Sequence, residues 1–205
     1  SVRSPLVRSG KLMFYEKMII FVGPSGSGKT TLAQRACKFG AAEAISTTTR
    51  PMRPGEEHGV HYYFISPESF QEQVRDNKFV EYAEYNGNWY GLTRLNMHSA
   101  MLMSEDGLAV CVMEINGFLE AVKRHPDLII GVFVDTPKDM VRERLRLRGD
   151  MTEEQIARRM ALYDEEYANK EYFENGRIDC PCFVYDNSRS DMVPPMLDLL
   201  DKWLS

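Results

Sequence analysis

Gly23-Pro24-Ser25-Gly26-Ser27-Gly28-Lys29-Thr30-Thr31 holds the residues of this chain best equipped for chemistry. Two glycines five positions apart, followed at once by Lys and Thr, have the spacing of a P-loop. The apolar run 18–22 precedes them as a strand would, and 31–36 follows as the start of a helix. A glycine-rich turn in that setting leaves backbone N–H groups pointing into one hollow, next to the positive end of the helix. Such a hollow suits phosphate oxygens. The Lys29 ammonium is placed to reach the outer phosphates, and the Thr30 hydroxyl to meet Mg²⁺. Gly23, Ser25, Gly26, Ser27, Gly28, Lys29, Thr30 and Thr31 are therefore the candidate triphosphate-binding residues. The motif implies a nucleoside triphosphate and leaves the phosphate acceptor open.

Composition bounds the acceptor. The chain has 205 residues and a net charge of -5, which opposes a general nucleic-acid role. Hydrophobic residues make up 43% and charged residues 27%, as in one globular domain with an inserted or mobile subdomain. Cys37, Cys111, Cys180 and Cys182 have neither a disulfide framework nor zinc spacing. They read as reduced thiols of a cytoplasmic protein. His58, His61, His98 and His125 also lack ligand spacing. No apolar run approaches the roughly 18 residues of a membrane span. Residues 1–17 set Arg3, Arg8, Lys11 and Lys17 against the single acid Glu16, with no long apolar centre. That stretch is expected to be a disordered leader or a tag.

The elements that must position the loop follow from pattern. A helix is expected over 28–39, ending at Gly40, then a short strand over 42–45. Residues 46–56 are irregular, with two prolines and a glycine around Arg50 and Arg53. A strand over 60–65 precedes Ser66-Pro67-Glu68, which has helix-start chemistry; Phe70, Val74 and Phe79 face inward. Residues 79–85 and 89–92 alternate around Asn86-Gly87 as a hairpin. The stretch 46–92 is thus a small β-rich lobe inserted after the first βα unit.

Apolar strands over 108–115, with Glu114 near the end, and 128–134 flank a helix over 117–125, as in a parallel sheet covered on both faces. Asp135-Thr136-Pro137 opens a helix with Arg142, Arg144, Arg146 and Arg148 that stops at Gly149. Thr152-Glu153-Glu154-Gln155 is a capping box for a polar helix through 169, carrying Arg158 and Arg159. A last strand over 183–185 ends at Asp186-Asn187, and 196–204 is an amphipathic closing helix.

Four blocks together resemble the guanylate kinase family. They are Ser46-Thr47-Thr48-Thr49-Arg50-Pro51-Met52-Arg53-Pro54-Gly55-Glu56, Gly59-Val60-His61-Tyr62-Tyr63-Phe64, Phe79-Val80-Glu81-Tyr82 and Gly87-Asn88-Trp89-Tyr90-Gly91. Their order and spacing match that family over 18–204. The resemblance implies an α/β fold of the P-loop NTPase type: three α/β/α layers, a parallel core sheet, an inserted β-rich NMP-binding lobe and a helical lid. The core would comprise 18–45, 93–143 and 164–205, the lobe 46–92 and the lid 144–163.

It also implies transfer of the ATP γ-phosphoryl group to GMP or dGMP with Mg²⁺. By position, Arg50, Arg53, Tyr62 and Tyr90 resemble the residues that hold the acceptor phosphate, and Ser46 and Glu81 those that read the base. Arg144, Arg148 and Arg159 resemble the arginines that close on the transferring phosphates, joined in catalysis by Lys29 and Arg53. Glu114 falls where the family has an acid near the Mg²⁺ shell, and Asp186-Asn187 lies close to the ATP adenine. Phosphoryl transfer is mostly positioning and charge stabilisation, and arginine forks suit it.

Three positions depart from the family. Leu92 stands where a Ser or Thr is usual, Glu114 and Asn116 stand where two Asp are usual, and Asp186-Asn187 is in swapped order. Leu92 suits a methyl group, and Asn116 can accept or donate. With Ser46, Glu81, Leu92 and Asn116 as the base-binding set, dTMP or another pyrimidine monophosphate stays open beside GMP and dGMP. An inactive scaffold domain of the same family is a further reading, opposed by the intact Lys29, Thr30 and arginine set. The expected partner is a nucleoside monophosphate, with no nucleic acid and no membrane. Monomer or homodimer is not decided by sequence.

Overall fold

The structure, a computed structural model, describes residues 16–188 apart from 86, 148 and 150, and before them 7–8 and 11–12. Within the stretch expected to be a leader, β1 (Val7–Arg8) and β2 (Lys11–Leu12) pair antiparallel. The motif follows β3 (Lys17–Val22) and opens α1 (Lys29–Lys38). Next come β4 (Ala42–Glu43), β5 (Thr47–Thr48), β6 (Tyr63–Phe64) and α2 (Pro67–Arg75). The hairpin is β7 (Phe79–Tyr85) and β8 (Asn88–Thr93). Then follow α3 (Arg94–Met103), β9 (Leu108–Val112), α4 (Ile115–Arg124) and β10 (Ile129–Asp135). The chain continues through α5 (Lys138–Leu147), α6 (Glu153–Ala168), α7 (Lys170–Glu174) and β11 (Cys182–Asp186).

The core sheet has the order β11-β10-β3-β9-β4, with every neighbouring pair parallel. Alternation along β3 divides the core in two. Met18, Ile20 and Val22 pack with Met97, Phe118, Phe133 and Phe173 on one face. Ile19 and Phe21 pack with Leu32, Ala33 and Ala36 of α1 on the other. A sheet buried on both faces is what the continuous apolar runs require. β3, β9, β10 and β11 all end at one edge, and the P-loop, Glu114, Thr136 and Asn187 follow them there. That carboxyl edge is where open α/β sheets bind ligands.

The second sheet, β6-β5-β8-β7, is the inserted lobe. Ser66 caps α2 by accepting from the Ser69 N–H at 3.2 Å. A bulge shifts the β7–β8 register between Phe79 and Glu81, so Val80 is the extra residue. Val80 and Leu92 are fully buried and belong to the same core as Met18 and Phe118. The root of the lobe is therefore embedded in the main core.

Several expectations change. The irregular stretch 46–56 contains β5, and the strand expected over 60–65 shortens to Tyr63–Phe64. Pattern assigns nothing between 92 and 108, where the structure has α3, capped by Thr93. Its outward Leu95, Leu102 and Met103 blur the periodicity made by the buried Met97, Ala100 and Met101. β9 ends at Val112, so Glu114 is the N-cap of α4 and Asn116 lies in the first helical turn. The closing helix expected over 196–204 lies outside the described residues, as do Asn86 and Arg148.

Candidate functional site

Gly26 and Gly28 take φ values of +86° and +99°, which a side chain at either position would resist. Gly28 is the N-cap of α1 and has no side chain to satisfy the first-turn N–H groups. Those donors line a cleft of about 580 Å³ with Lys29, Thr30, Thr31 and Arg144. Lys29 Nζ donates to the carbonyls of Gly23 and Pro24 at 2.6 and 2.9 Å. Burial lowers the Lys29 pKa, Glu114 and Glu166 oppose that shift, and Arg159 adds to it.

The loop is braced from behind. The Ser27 carbonyl accepts from Thr136 Oγ1 at 2.8 Å, Asn187 Nδ2 at 2.7 Å and Arg144 Nη1 at 3.3 Å. Arg144 Nη2 also donates to the Asn187 carbonyl at 2.9 Å, and the Asn187 N–H donates to Asp135 O at 2.7 Å. Asn187 and Arg144 thus clamp the loop to the ends of β10 and β11. Asp186 is exposed beside them and accepts from the Ser188 N–H at 2.9 Å. No spacing in the chain signals this brace, because it forms only where the ends of β3, β10 and β11 meet.

From above, α6 meets the loop at Ser25. Arg159 Nη1 donates to Ser25 Oγ at 2.7 Å, and the Ser25 N–H donates to Glu166 Oε2 at 2.8 Å. Glu166 was not among the candidates. Its position seven residues after Arg159, on the same helix face, is the signal that could have found it. Tyr163 and Tyr167 donate from their hydroxyls to Thr136 O at 2.7 Å and Asp135 Oδ1 at 2.9 Å.

The lobe contributes two clusters. In the first, Arg50 Nη1 and Nη2 donate to Glu56 Oε2 and Oε1 at 2.9 and 2.7 Å. Arg53 is exposed and joins through its backbone N–H, which donates to Glu56 Oε2 at 2.7 Å. Arg50 holds the Glu56 carboxyl down at about 2. The guanidinium of Arg50 lies 5.7 Å from the Tyr62 ring centre, and Tyr62 meets Tyr90 edge to face at 6.0 Å. Burial raises the Tyr62 pKa. Arg50, Tyr62 and Tyr90 are thus one group, with Glu56 as a member that sequence reasoning omitted.

The second cluster surrounds Glu81. Its Oε1 accepts from the Leu92 N–H at 3.0 Å. A Cβ on Gly117 would lie 3.1 Å from its Oε2. Burial lifts the Glu81 carboxyl to about 7, against the pull of the Leu92 N–H and Arg124. Glu81 and Leu92 are cross-strand partners, so their side chains share the inward face of the hairpin. The Leu92 side chain was expected at the base edge. It is instead core, and it serves Glu81 through its N–H and by excluding water. That placement removes the main support for a pyrimidine acceptor. Asn116 is exposed, and Ser46 is half-buried and accepts from the Tyr63 N–H at 2.9 Å through its carbonyl.

The donor set fits a Mg²⁺-bound triphosphate. Thr30 lines the cleft and Glu114 caps α4 at the same sheet edge; both are exposed, and Glu114 is close enough to act on Lys29. Among the described residues no group of three or more His, Cys, Asp or Glu could hold a metal by itself. A hydroxyl and a carboxylate completed by water and phosphate oxygens is how Mg²⁺ is usually held. Among the described residues no helix is long and apolar enough to cross a membrane. Among them the four cysteines are free, with the Cys180 and Cys182 sulfurs 3.7 Å apart.

The guanylate kinase family model matches residues 15–176. A guanylate kinase of Wolinella succinogenes is 39% identical over 159 residues, 76% of this chain and 73% of the relative. One from Rubrobacter xylanophilus is 34% identical over 184 residues, 88% of this chain and 93% of the relative. One from Sus scrofa is 36% identical over 152 residues, 70% and 73% of the two chains. The crystal structure of guanylate kinase from Anaplasma phagocytophilum shares the fold, with a TM-score of 0.54 at 21% identity, covering 92% of this chain and 84% of that one.

Proposed function

This chain belongs to the guanylate kinase family, and we propose on that premise that it transfers the γ-phosphoryl group of ATP to GMP or dGMP. The observation that carries the acceptor side is Glu81. A carboxylate held against the Leu92 N–H and the start of α4 presents acceptors to a base edge rich in N–H groups. Guanine has such an edge, in its N1–H and 2-amino groups. Thymine has a single N–H there, and the buried Leu92 offers its methyl group no contact.

Arg50, Tyr62 and Tyr90 bind the acceptor phosphate, with Arg53 closing from the exposed side of the same loop. The N–H groups of the P-loop and Lys29 hold the donor phosphates. Thr30 and Glu114 would hold Mg²⁺, directly or through water; the ion supplies charge neutralisation on the phosphate oxygens. Arg159 stands on Ser25 and neutralises charge as the phosphoryl group moves. Arg148, outside the described residues, is assigned to the same phosphates by the family resemblance alone. Arg144 and Asn187 act mainly on the loop, by fixing the Ser27 carbonyl. Closure of the 46–92 lobe and the 144–163 lid excludes water that would compete as nucleophile, and direct in-line transfer between the two bound nucleotides needs no covalent enzyme intermediate.

The test is Lys29→Met with a panel of monophosphates and ATP. Wild type is expected to phosphorylate GMP and dGMP well ahead of dTMP. The variant is expected to keep its melting temperature and lose turnover by a factor on the order of 10³. Undiminished turnover in the variant would remove Lys29 from the mechanism, and preference for dTMP would overturn the acceptor.

A further inference from the structure

We infer that Glu166 is a positioning residue for phosphoryl transfer, setting the height of Arg159 over the P-loop through Ser25. The inference rests on the kinase reaction proposed above, with Arg159 as the group that meets the transferring phosphate. Ser25 is held twice by one helix. Its Oγ accepts from Arg159 Nη1 at 2.7 Å, and its N–H donates to Glu166 Oε2 at 2.8 Å. The two side chains are seven residues apart on α6, about two turns, so they leave the same face. Between them Tyr163 is buried and bonds to Thr136 O, which ties that face to the end of β10. Glu166 and Arg159 both act on the charge of Lys29, so all three groups lie around one point of the loop.

A single contact leaves a helix free to slide or rock about it. A hydrogen bond at each end of a two-turn lever fixes both its register and its tilt. Ser25 offers one donor and one acceptor, so a cation and an anion can grip it from the same helix. Without Glu166, Arg159 keeps its partner and Tyr163 and Tyr167 still tie α6 to β10, but the helix loses the second bond that sets its height over Ser25. The guanidinium then spends less time at the distance that in-line transfer needs. A misplacement of about 1 Å can lower a rate roughly 100-fold.

The experiment compares Glu166→Ala, Glu166→Gln and Arg159→Ala with wild type, singly and combined, reading kcat, the KM for GMP, and melting temperature. Glu166→Ala is expected to lower kcat about 10- to 100-fold and to change the KM for GMP less than about twofold. Glu166→Gln keeps an oxygen for the Ser25 N–H and is expected to stay within about threefold of wild type. In the Arg159→Ala background, adding Glu166→Ala is expected to change little, because Glu166 acts through Arg159. Additive losses, a Gln variant as poor as Ala, or an Ala variant that melts lower but turns over normally would each overturn the inference. If Arg159→Ala by itself leaves kcat intact, the kinase role of Arg159 fails instead, and this inference falls with it.

Discussion

The Glu81 carboxyl lies between a strand amide and the first turn of a helix, away from water. Its folded pKa of about 7 exceeds the ordinary 4.5 because of burial. Between those values the folded chain keeps a proton that the unfolded chain has released. Stability therefore falls as pH rises through that window, by on the order of 3 kcal/mol, and stays lower above it. Glu81→Gln removes the titration and keeps an acceptor for the Leu92 N–H. It should melt above wild type at pH 8, with the gap closing toward pH 5. A gap independent of pH would show that the carboxyl ionises as freely as in the unfolded chain. Gly117 is the companion test. An added methyl would meet Glu81 Oε2 at 3.1 Å and turn the carboxyl aside. Gly117→Ala should raise the KM for GMP about 10-fold while leaving the KM for ATP and the melting temperature nearly unchanged. Equal rises for both substrates would place the damage elsewhere.

At the scale of elements, the loop between β5 and β6 is ordered by charge, since few of its side chains are buried. Glu56 accepts from the Arg50 fork and from the Arg53 N–H, so one carboxylate fixes both arginines along the loop. Its pKa is depressed, so this tie is complete above the ordinary carboxylate range and is lost as pH falls toward about 2. Glu56→Gln keeps one acceptor and loses the charge. The KM for GMP should rise about 10-fold, because Arg50 is no longer held beside Tyr62 and Tyr90. A KM that falls would mean that Glu56 competes with the acceptor phosphate for the fork.

The elements also separate what the chain displays from what it hides. The P-loop, the capping box at Thr152 and Gln155, and the cap at Ser66 are local rules, and each reads directly from spacing. Leu92 does not. The Val80 bulge and the docking of the hairpin root on Met97 and Phe118 decide that it is core, and both depend on distant residues. Thr136, Asn187 and Glu166 were equally hidden as partners of the loop. Their contacts span 109, 160 and 141 positions in the chain.

Across the whole molecule, the parallel sheet gathers the donor site from four strand ends, while the acceptor clusters ride on the inserted sheet. The two halves are joined through the buried root of the hairpin, Val80 and Leu92, whereas Tyr62, Trp89 and Tyr90 stand farther out and half-buried. Such a lobe bends more readily along its length than at its root. In heavy water its backbone amides should therefore exchange as a gradient. That of Leu92, buried and bonded to Glu81, should exchange only with global unfolding, and that of Trp89, bonded to the half-buried Thr49 hydroxyl, much faster. Uniform exchange along β7 and β8 would mean that the lobe opens as one block. A graded profile would make the hairpin a clock hand, its slow end fixed in the core and its fast end reporting the arrival of the nucleotide.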